Sequence, residues 1–174
     1  MALDDEQTSA KQRYIEEMGL AMAAFGLPRM WGRVFGALLL ADPPEQTAEE
    51  LARRLKASRG SISTATRMLE QARLIERISK PGERKDYFRN KPGAWHYEAQ
   101  QLVAGVSRFR ELAERGLALL DGSTPEARRG LTEMRDYFTH WEQVFPDLVA
   151  AWEAKSQSQA GVAKEVKVTM TEPS

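Results

Sequence analysis

The sequence predicts a mainly α fold in which a helix-turn-helix and a small β-hairpin lie between long N- and C-terminal helices. Three observations predict it. Apolar side chains recur at helical spacing through both flanks of the chain. Between Thr47 and Asn90, two short capped helices are followed by two β-compatible runs around a Pro-Gly turn. Finally, twelve of the twenty-five Lys and Arg residues fall between Thr47 and Lys91, in a chain of zero net charge. Two helices with a basic hairpin behind them make a winged helix-turn-helix.

Taken in order, residues Met1 to Ala10 are polar and expected to fray. From Lys11 to Phe25, Ile15, Met18, Met22 and Phe25 step by 3, 4 and 3, which marks a helix with one sticky side. Gly26 and Pro28 end it, Pro28 suits the start of a second helix, and Pro43 with Pro44 close that one after Leu40. Trp31, Val34, Phe35, Leu38 and Leu39 form its expected buried face. Gly26, Gly32 and Gly36 recur on a helix and favour close helix packing. Thr47 and Glu50 form a capping box for a short helix, Ala48 to Lys56. Ser58 caps the next, with Ile62, Ala65, Thr66 and Leu69 facing inward and Gly60, Ser63, Thr64, Arg67 and Gln71 facing out. The runs LIERIS and DYFRN then read as strands joined by KPGERK.

Beyond the hairpin the pattern is helical again. Leu102, Val106, Phe109, Leu112, Leu117 and Leu120 mark a helix from Trp95 to Leu120; GSTP follows, with Thr124 as cap and Pro125 at the first helical position. Leu131, Met134, Phe138, Trp141, Phe145, Leu148 and Trp152 step by alternate threes and fours, a coiled-coil-like seam kinked at Pro146. The polar stretch after Lys155 reads as disordered. The expected organisation is an N-terminal dimerisation helix over residues 1–25, the winged helix-turn-helix over 26–94, C-terminal dimerisation helices over 95–154 and a tail over 155–174. The apolar stripes Ile15 to Phe25 and Leu131 to Trp152 are too sticky for isolated helices and are expected to pair across a two-fold axis.

The 174 residues suffice for one domain with a real core, or one with long appended elements. No apolar run is long enough for a membrane span, and the acidic start does not read as a secretory signal, so a cytoplasmic protein is expected. Cysteine is absent, which excludes disulfides, thiol catalysis and thiolate metal sites. Charge is uneven: −3 from Met1 to Gln46, +6 from Thr47 to Lys91 and −3 from Pro92 to Ser174. A polyanion is attracted to the middle and repelled by the flanks.

Small hydroxyl residues at the front of the second helix let a phosphate backbone approach, and the free N–H groups there add positive potential. Arg59 and Arg67 supply charge and a fork suited to guanine. Lys80, Arg84 and Lys85 in the hairpin loop, with Arg89 on the return strand, suit a wing entering the minor groove. Double-stranded DNA is therefore the expected partner. The same architecture also serves as a protein-protein module, so a winged-helix interaction module without DNA binding is the alternative. His96 and His140 have no ligand pattern around them, and no nucleophile motif or phosphate loop is present. Neither metal, cofactor nor enzymatic activity is expected.

The segments GLPRMWGRVFGALLLADPP, ELARRL, SRGSISTATRMLE, LIER and PGERKDYFR resemble bacterial MarR-type regulators, and more closely their GbsR-type subgroup. The resemblance is strong from Phe25 to Trp95 and loose beyond. It implies a homodimeric transcription factor, read here as a repressor, that binds a palindromic operator and often releases it on binding a small molecule. On that basis Ser58, Arg59, Ser61, Ser63, Thr64 and Arg67 match recognition-helix positions, and Arg84, Lys85 and Arg89 match the wing. Arg73 departs from the pattern, since such sequences commonly have Gly there; a left-handed conformation would cost Arg about 1 kcal/mol relative to Gly. The aromatics Trp31, Phe35, Trp95, Tyr97, Tyr137, Phe138 and Trp141 are either plain core or the walls of an effector pocket. A small flat apolar ligand suits such walls; a quaternary ammonium, held by cation–π contact, rests on the GbsR resemblance alone.

Overall fold

The computed structural model describes the backbone of residues 2–169 and the side chains of residues 6–156. The chain divides into two compact units, one ending at Ala94 and the other starting at Trp95.

The first unit holds α1 (Ala2–Ala24), α2 (Arg29–Leu39), β1 (Gln46–Thr47), α3 (Ala48–Leu55), α4 (Arg59–Gln71), β2 (Ile75–Ser79) and β3 (Asp86–Asn90). Its core is one cluster: Ile15 of α1, Val34, Phe35 and Leu38 of α2, Leu51 and Leu55 of α3, Ile62 and Leu69 of α4, and Ile75 with Phe88 of the hairpin. The strands form an antiparallel sheet in the order β1-β3-β2, with Ile75 opposite Asn90, Ser79 opposite Asp86 and Gln46 opposite Phe88.

Helix α1 starts well before Lys11, because residues 2–10 contain neither proline nor glycine to stop it. Most of its stripe packs inside the chain, against α2. Ile15 is fully buried, and Met18 and Met22 pack on the core; only Phe25, 86% exposed, is left over. Glycine makes this possible. A Cβ on Gly32 would collide with the Met18 carbonyl oxygen and lie 2.7 Å from the Gly19 Cα, so the two helices meet backbone to backbone. Glu16 locks the pair, accepting from Arg29 Nη2 at 2.8 Å and Arg33 Nε at 2.9 Å, while Arg33 Nη2 donates to the Leu55 carbonyl at the end of α3. In α2, Trp31 is half-buried and Leu39 exposed, so the buried face is rotated toward Gly32 and Gly36 relative to the one expected.

The capping box forms as the sequence predicts. Glu50 Oε2 accepts from the Thr47 N–H at 2.7 Å and from its hydroxyl at 2.8 Å, and the Glu50 N–H donates to Thr47 Oγ1 at 3.2 Å. The Thr47 backbone and side chain hold the Glu50 carboxyl below the usual carboxylate range. Replacing Glu50 by Ala is expected to cost about 1 kcal/mol at neutral pH. A lowered folded-state pKa gives stability that is present above the unfolded value and lost as pH falls through the folded one. Urea unfolding of both proteins should therefore show the gap closing in acid; a gap independent of pH would remove the carboxylate from the cap. At the other end of the motif, Arg73 takes φ +56° after α4, the left-handed conformation foreseen for the position where glycine is common.

The second unit is an antiparallel hairpin of α5 (Ala94–Leu119) and α6 (Pro125–Thr169). Contacts ascend one helix as they descend the other: Gly116 faces Leu131, Phe109 stacks on Phe138 at 5.0 Å, Arg110 reaches Glu142 and His96 Nδ1 lies 3.3 Å from Glu153. Thr124 accepts from the Ala127 N–H and caps α6, and Arg128 donates to the Leu117 and Leu120 carbonyls at the end of α5. Helix α6 continues on both sides of Pro146 and runs through Lys155 to Thr169, where a disordered tail was expected. That stretch has no proline, and its Ala, Lys, Glu and Gln residues favour helix. Residues 170–174 of the expected tail lie outside the described residues.

Candidate nucleic-acid interface

Helix α4 owes its place to Ile62, Ala65, Thr66 and Leu69, all buried, with the Thr66 hydroxyl donating to the Ile62 carbonyl at 3.0 Å. Burying that face turns the other outward. Ser58, Arg59, Ser61, Ser63, Thr64 and Arg67 are all exposed. Two of these hydroxyls have local work: Ser58 Oγ accepts the Ser61 N–H at 3.2 Å and donates to Ser61 Oγ at 3.1 Å, so they order the front of the helix. Ser63, Thr64, Arg59 and Arg67 have no side-chain hydrogen bond or ion pair among the described residues and form an open polar face.

The hairpin tip is a tight turn. Glu83 N–H donates to the Lys80 carbonyl at 3.1 Å across Pro81 and Gly82, and Gly82 has φ +81°, a value that favours glycine. Beyond it Arg84 and Lys85 are exposed and in no salt bridge among the described residues. An open cleft of about 420 Å³ lies among the start of α3, α4 and the hairpin, and its charged and hydroxyl lining includes Glu49, Arg59, Ser63, Arg77, Lys85 and Asp86. It brings together cations from two separate pieces of the sequence.

Lys80 and Arg89 are placed differently. Phe88 faces the core, so the alternation of β3 turns Tyr87 and Arg89 to the opposite side of the sheet. There Lys80 pairs with Glu45 at 2.8 Å and covers the Tyr87 ring at 4.1 Å, while Arg89 pairs with Glu76 at 2.7 Å and with Glu45 at 3.6 Å. The Glu45 pairing holds the Lys80 ammonium more firmly protonated than usual and the Glu45 carboxyl below its usual range. Two of the wing cations named from the sequence are thus already neutralised by carboxylates. Residues that sequence reasoning passed over are Arg77, which lines the cleft and whose signal is the strand alternation that puts it opposite Phe88, and Glu45, which has no local signal.

Of the aromatic residues, Phe35 is core and Trp31 packs at its edge. The other five belong to the second unit: Trp95 is 58% exposed, Tyr97 half-buried, and Tyr137 and Phe138 meet edge to face, while Trp141 stacks on Phe145 at 4.8 Å. Among the described residues no cluster of three or more acidic or His side chains is placed to hold a metal, and no helix is long and apolar enough to cross a membrane.

Residues 25–86, which include α2 to the start of β3, match the MarR family model, and residues 93–155 match that of MmpR5-like MarR family transcriptional regulators. The HTH-type transcriptional regulator MmpR5 of Mycobacterium tuberculosis is 37% identical over 143 residues, 82% of this chain and 87% of that protein. The chain belongs to the MarR family of transcriptional regulators. Members of this family bind DNA, and the winged helix-turn-helix described above is their fold. A solved structure of a transcriptional regulator shares that fold with a TM-score of 0.72 and 36% identity, covering 83% of this chain and 99% of that one. The HTH-type transcriptional repressor OpcR of Bacillus subtilis is 25% identical over 76% of each chain. The two family models meet this MarR-family protein on either side of the boundary between its units, one on the helix-turn-helix and wing, the other on α5 and α6.

Proposed function

We propose that this MarR-family protein is a homodimeric, cytoplasmic repressor that reads a palindromic operator with α4 and holds the flanking backbone with its wing. The observation that carries this reading is the open cleft where Arg59 and Ser63 of α4 face Lys85 of the wing, with no salt bridge to either cation among the described residues. In this reading Arg67, Arg59, Ser63 and Thr64 are the base- and phosphate-reading set, Ser58 and Ser61 order the helix front, and Arg84 and Lys85 anchor the wing. Lys80 and Arg89 contribute less, being paired. Exposed Leu102, Leu112, Leu148 and Trp152 on α5 and α6 support a dimer that covers them. A repressor role is supported by the similarity to OpcR, a transcriptional repressor. The exposed aromatics Trp95 and Tyr137 of the second unit support release by a small apolar or quaternary-ammonium effector, the latter only through the GbsR-type resemblance, whereas Phe35 and Trp31 are taken up by the core of the first unit. An interaction module without DNA binding has no support from a family whose members bind DNA.

Selection of bound duplexes from a random pool tests the reading. Enrichment of an inverted repeat is expected, and the Arg67→Ala variant should bind it more weakly, by about 1–3 kcal/mol if Arg67 reads a base, with preference relaxed at one position of each half-site. No enriched sequence would favour the interaction module, and equal loss on enriched and random DNA would make Arg67 a phosphate contact.

A further inference from the structure

We infer that Arg77 and Glu70 form a positioning pair that sets the angle between the wing and the recognition helix; the DNA readout below rests on the function proposed above. Arg77 lies on the inner side of β2. Its Nε and Nη2 donate to the two oxygens of Glu70 on α4 at 3.2 and 3.1 Å, its Nη1 donates to Asp86 Oδ2 on β3 at 3.2 Å, and its guanidinium lies 5.4 Å from the centre of the buried Phe88 ring. One planar group therefore ties α4 to both strands of the hairpin.

Geometry gives this contact its importance. An exposed ion pair contributes little to global stability. A two-point fork between guanidinium and carboxylate, however, fixes direction as well as distance, which a point charge cannot do. The hairpin leaves α4 at the buried Ile75 and projects away from it. At about 3.3 Å per residue its tip is roughly 16 Å from that pivot, and a swing of about 10° displaces the tip by about 3 Å, enough to break a hydrogen bond. Arg77 sits part-way along this lever and joins it to the helix.

The competing role for Arg77 is that of one more cation lining the cleft. Glu70 separates the two. Removing a carboxylate from a DNA-facing surface, which leaves Arg77 with Asp86 alone, should strengthen binding if charge alone matters; if position matters, it should weaken it. Binding is measured with a fluorescent duplex enriched by the wild-type protein from a random pool. Glu70→Gln is expected to weaken binding roughly tenfold, as coupled neighbours do, with an unchanged slope against salt. Arg77→Gln should lose a similar factor, and the double variant little more than either. Glu70→Gln binding as tightly as wild type, or more tightly, overturns the inference.

A second readout needs no DNA. The absence of cysteine allows spin labels at Gly60→Cys on α4 and Arg84→Cys on the wing, both exposed. Pulsed electron resonance should give a narrow distance distribution that broadens when Glu70→Gln is added. An unchanged distribution overturns the positioning role whatever the DNA result; a broadened one with no duplex enriched by the wild-type protein keeps the pair and refutes the DNA reading instead.

Discussion

Replacing Gly32 by Ala is expected to destabilise the first unit by about 2–3 kcal/mol, although alanine is the better helix former by about 1 kcal/mol. The added methyl would meet the Met18 carbonyl oxygen, the Met18 carbonyl carbon at 2.8 Å and the Gly19 Cα at 2.7 Å. All three are backbone atoms, so no side chain can swing aside and α1 must move bodily. That movement pulls on the fully buried Ile15 and on Glu16, which holds Arg29 and Arg33. Through Arg33 and the Leu55 carbonyl the disturbance reaches the end of α3, one turn from the cap of α4. Gly60 supplies the control. It is also helical, but a Cβ there meets nothing within 4 Å, so Gly60→Ala should raise stability by up to about 1 kcal/mol. Urea unfolding of the two variants should move in opposite directions. Equal shifts would mean that α1 and α2 pack more loosely than their backbone-to-backbone approach implies.

The contrast between these glycines shows what was legible in the sequence. Gly32 and Gly36 could be read as a packing surface, because their spacing puts them on one side of a helix. What they pack against could not be read, since a stripe such as Ile15, Met18 and Met22 states that a face is covered and not what covers it. The pattern alone does not separate α2 from a second copy of the chain as the cover of Ile15, Met18 and Met22, and within the chain α2 packs on them. Local signals fared better: Thr47 with Glu50, Ser58 before α4, Pro81-Gly82 at the wing tip and the left-handed Arg73 each depend on neighbours within a few residues. The candidate site divides along the same line. Which side of α4 is exposed follows from a 3.6-residue period, whereas the pairing of Lys80 and Arg89 depends on Glu45, which lies some thirty-five or more positions earlier. Only the sheet register brings it near.

That register makes the wing the place where function is tested most sharply. Arg84 and Lys85 lie past the Pro81-Gly82 turn, exposed and free of salt bridges among the described residues. Replacing both by Ala should leave the melting temperature almost unchanged, because exposed side chains at a loop tip contribute little to folding. Binding to the enriched duplex should fall about ten- to a hundredfold, and the slope of log affinity against log salt should become shallower by about 0.9 for each phosphate that is no longer neutralised. Lys80→Ala and Arg89→Ala provide the comparison. Each removes one positive charge, but each also loosens a carboxylate: Lys80→Ala leaves Glu45 with Arg89 alone, and Arg89→Ala takes the cation from Glu76. Their salt slopes should change by less than one unit per residue, and the loss of the ion pair on that face of the sheet should show as a small drop in melting temperature instead. Fluorescence anisotropy over a salt series, with thermal unfolding of the same samples, separates the two pairs. If the Arg84→Ala, Lys85→Ala double variant keeps the wild-type slope while Lys80→Ala or Arg89→Ala flattens it, the DNA-facing side of the wing is the one bearing Tyr87, and the cleft beside α4 is not where the backbone runs.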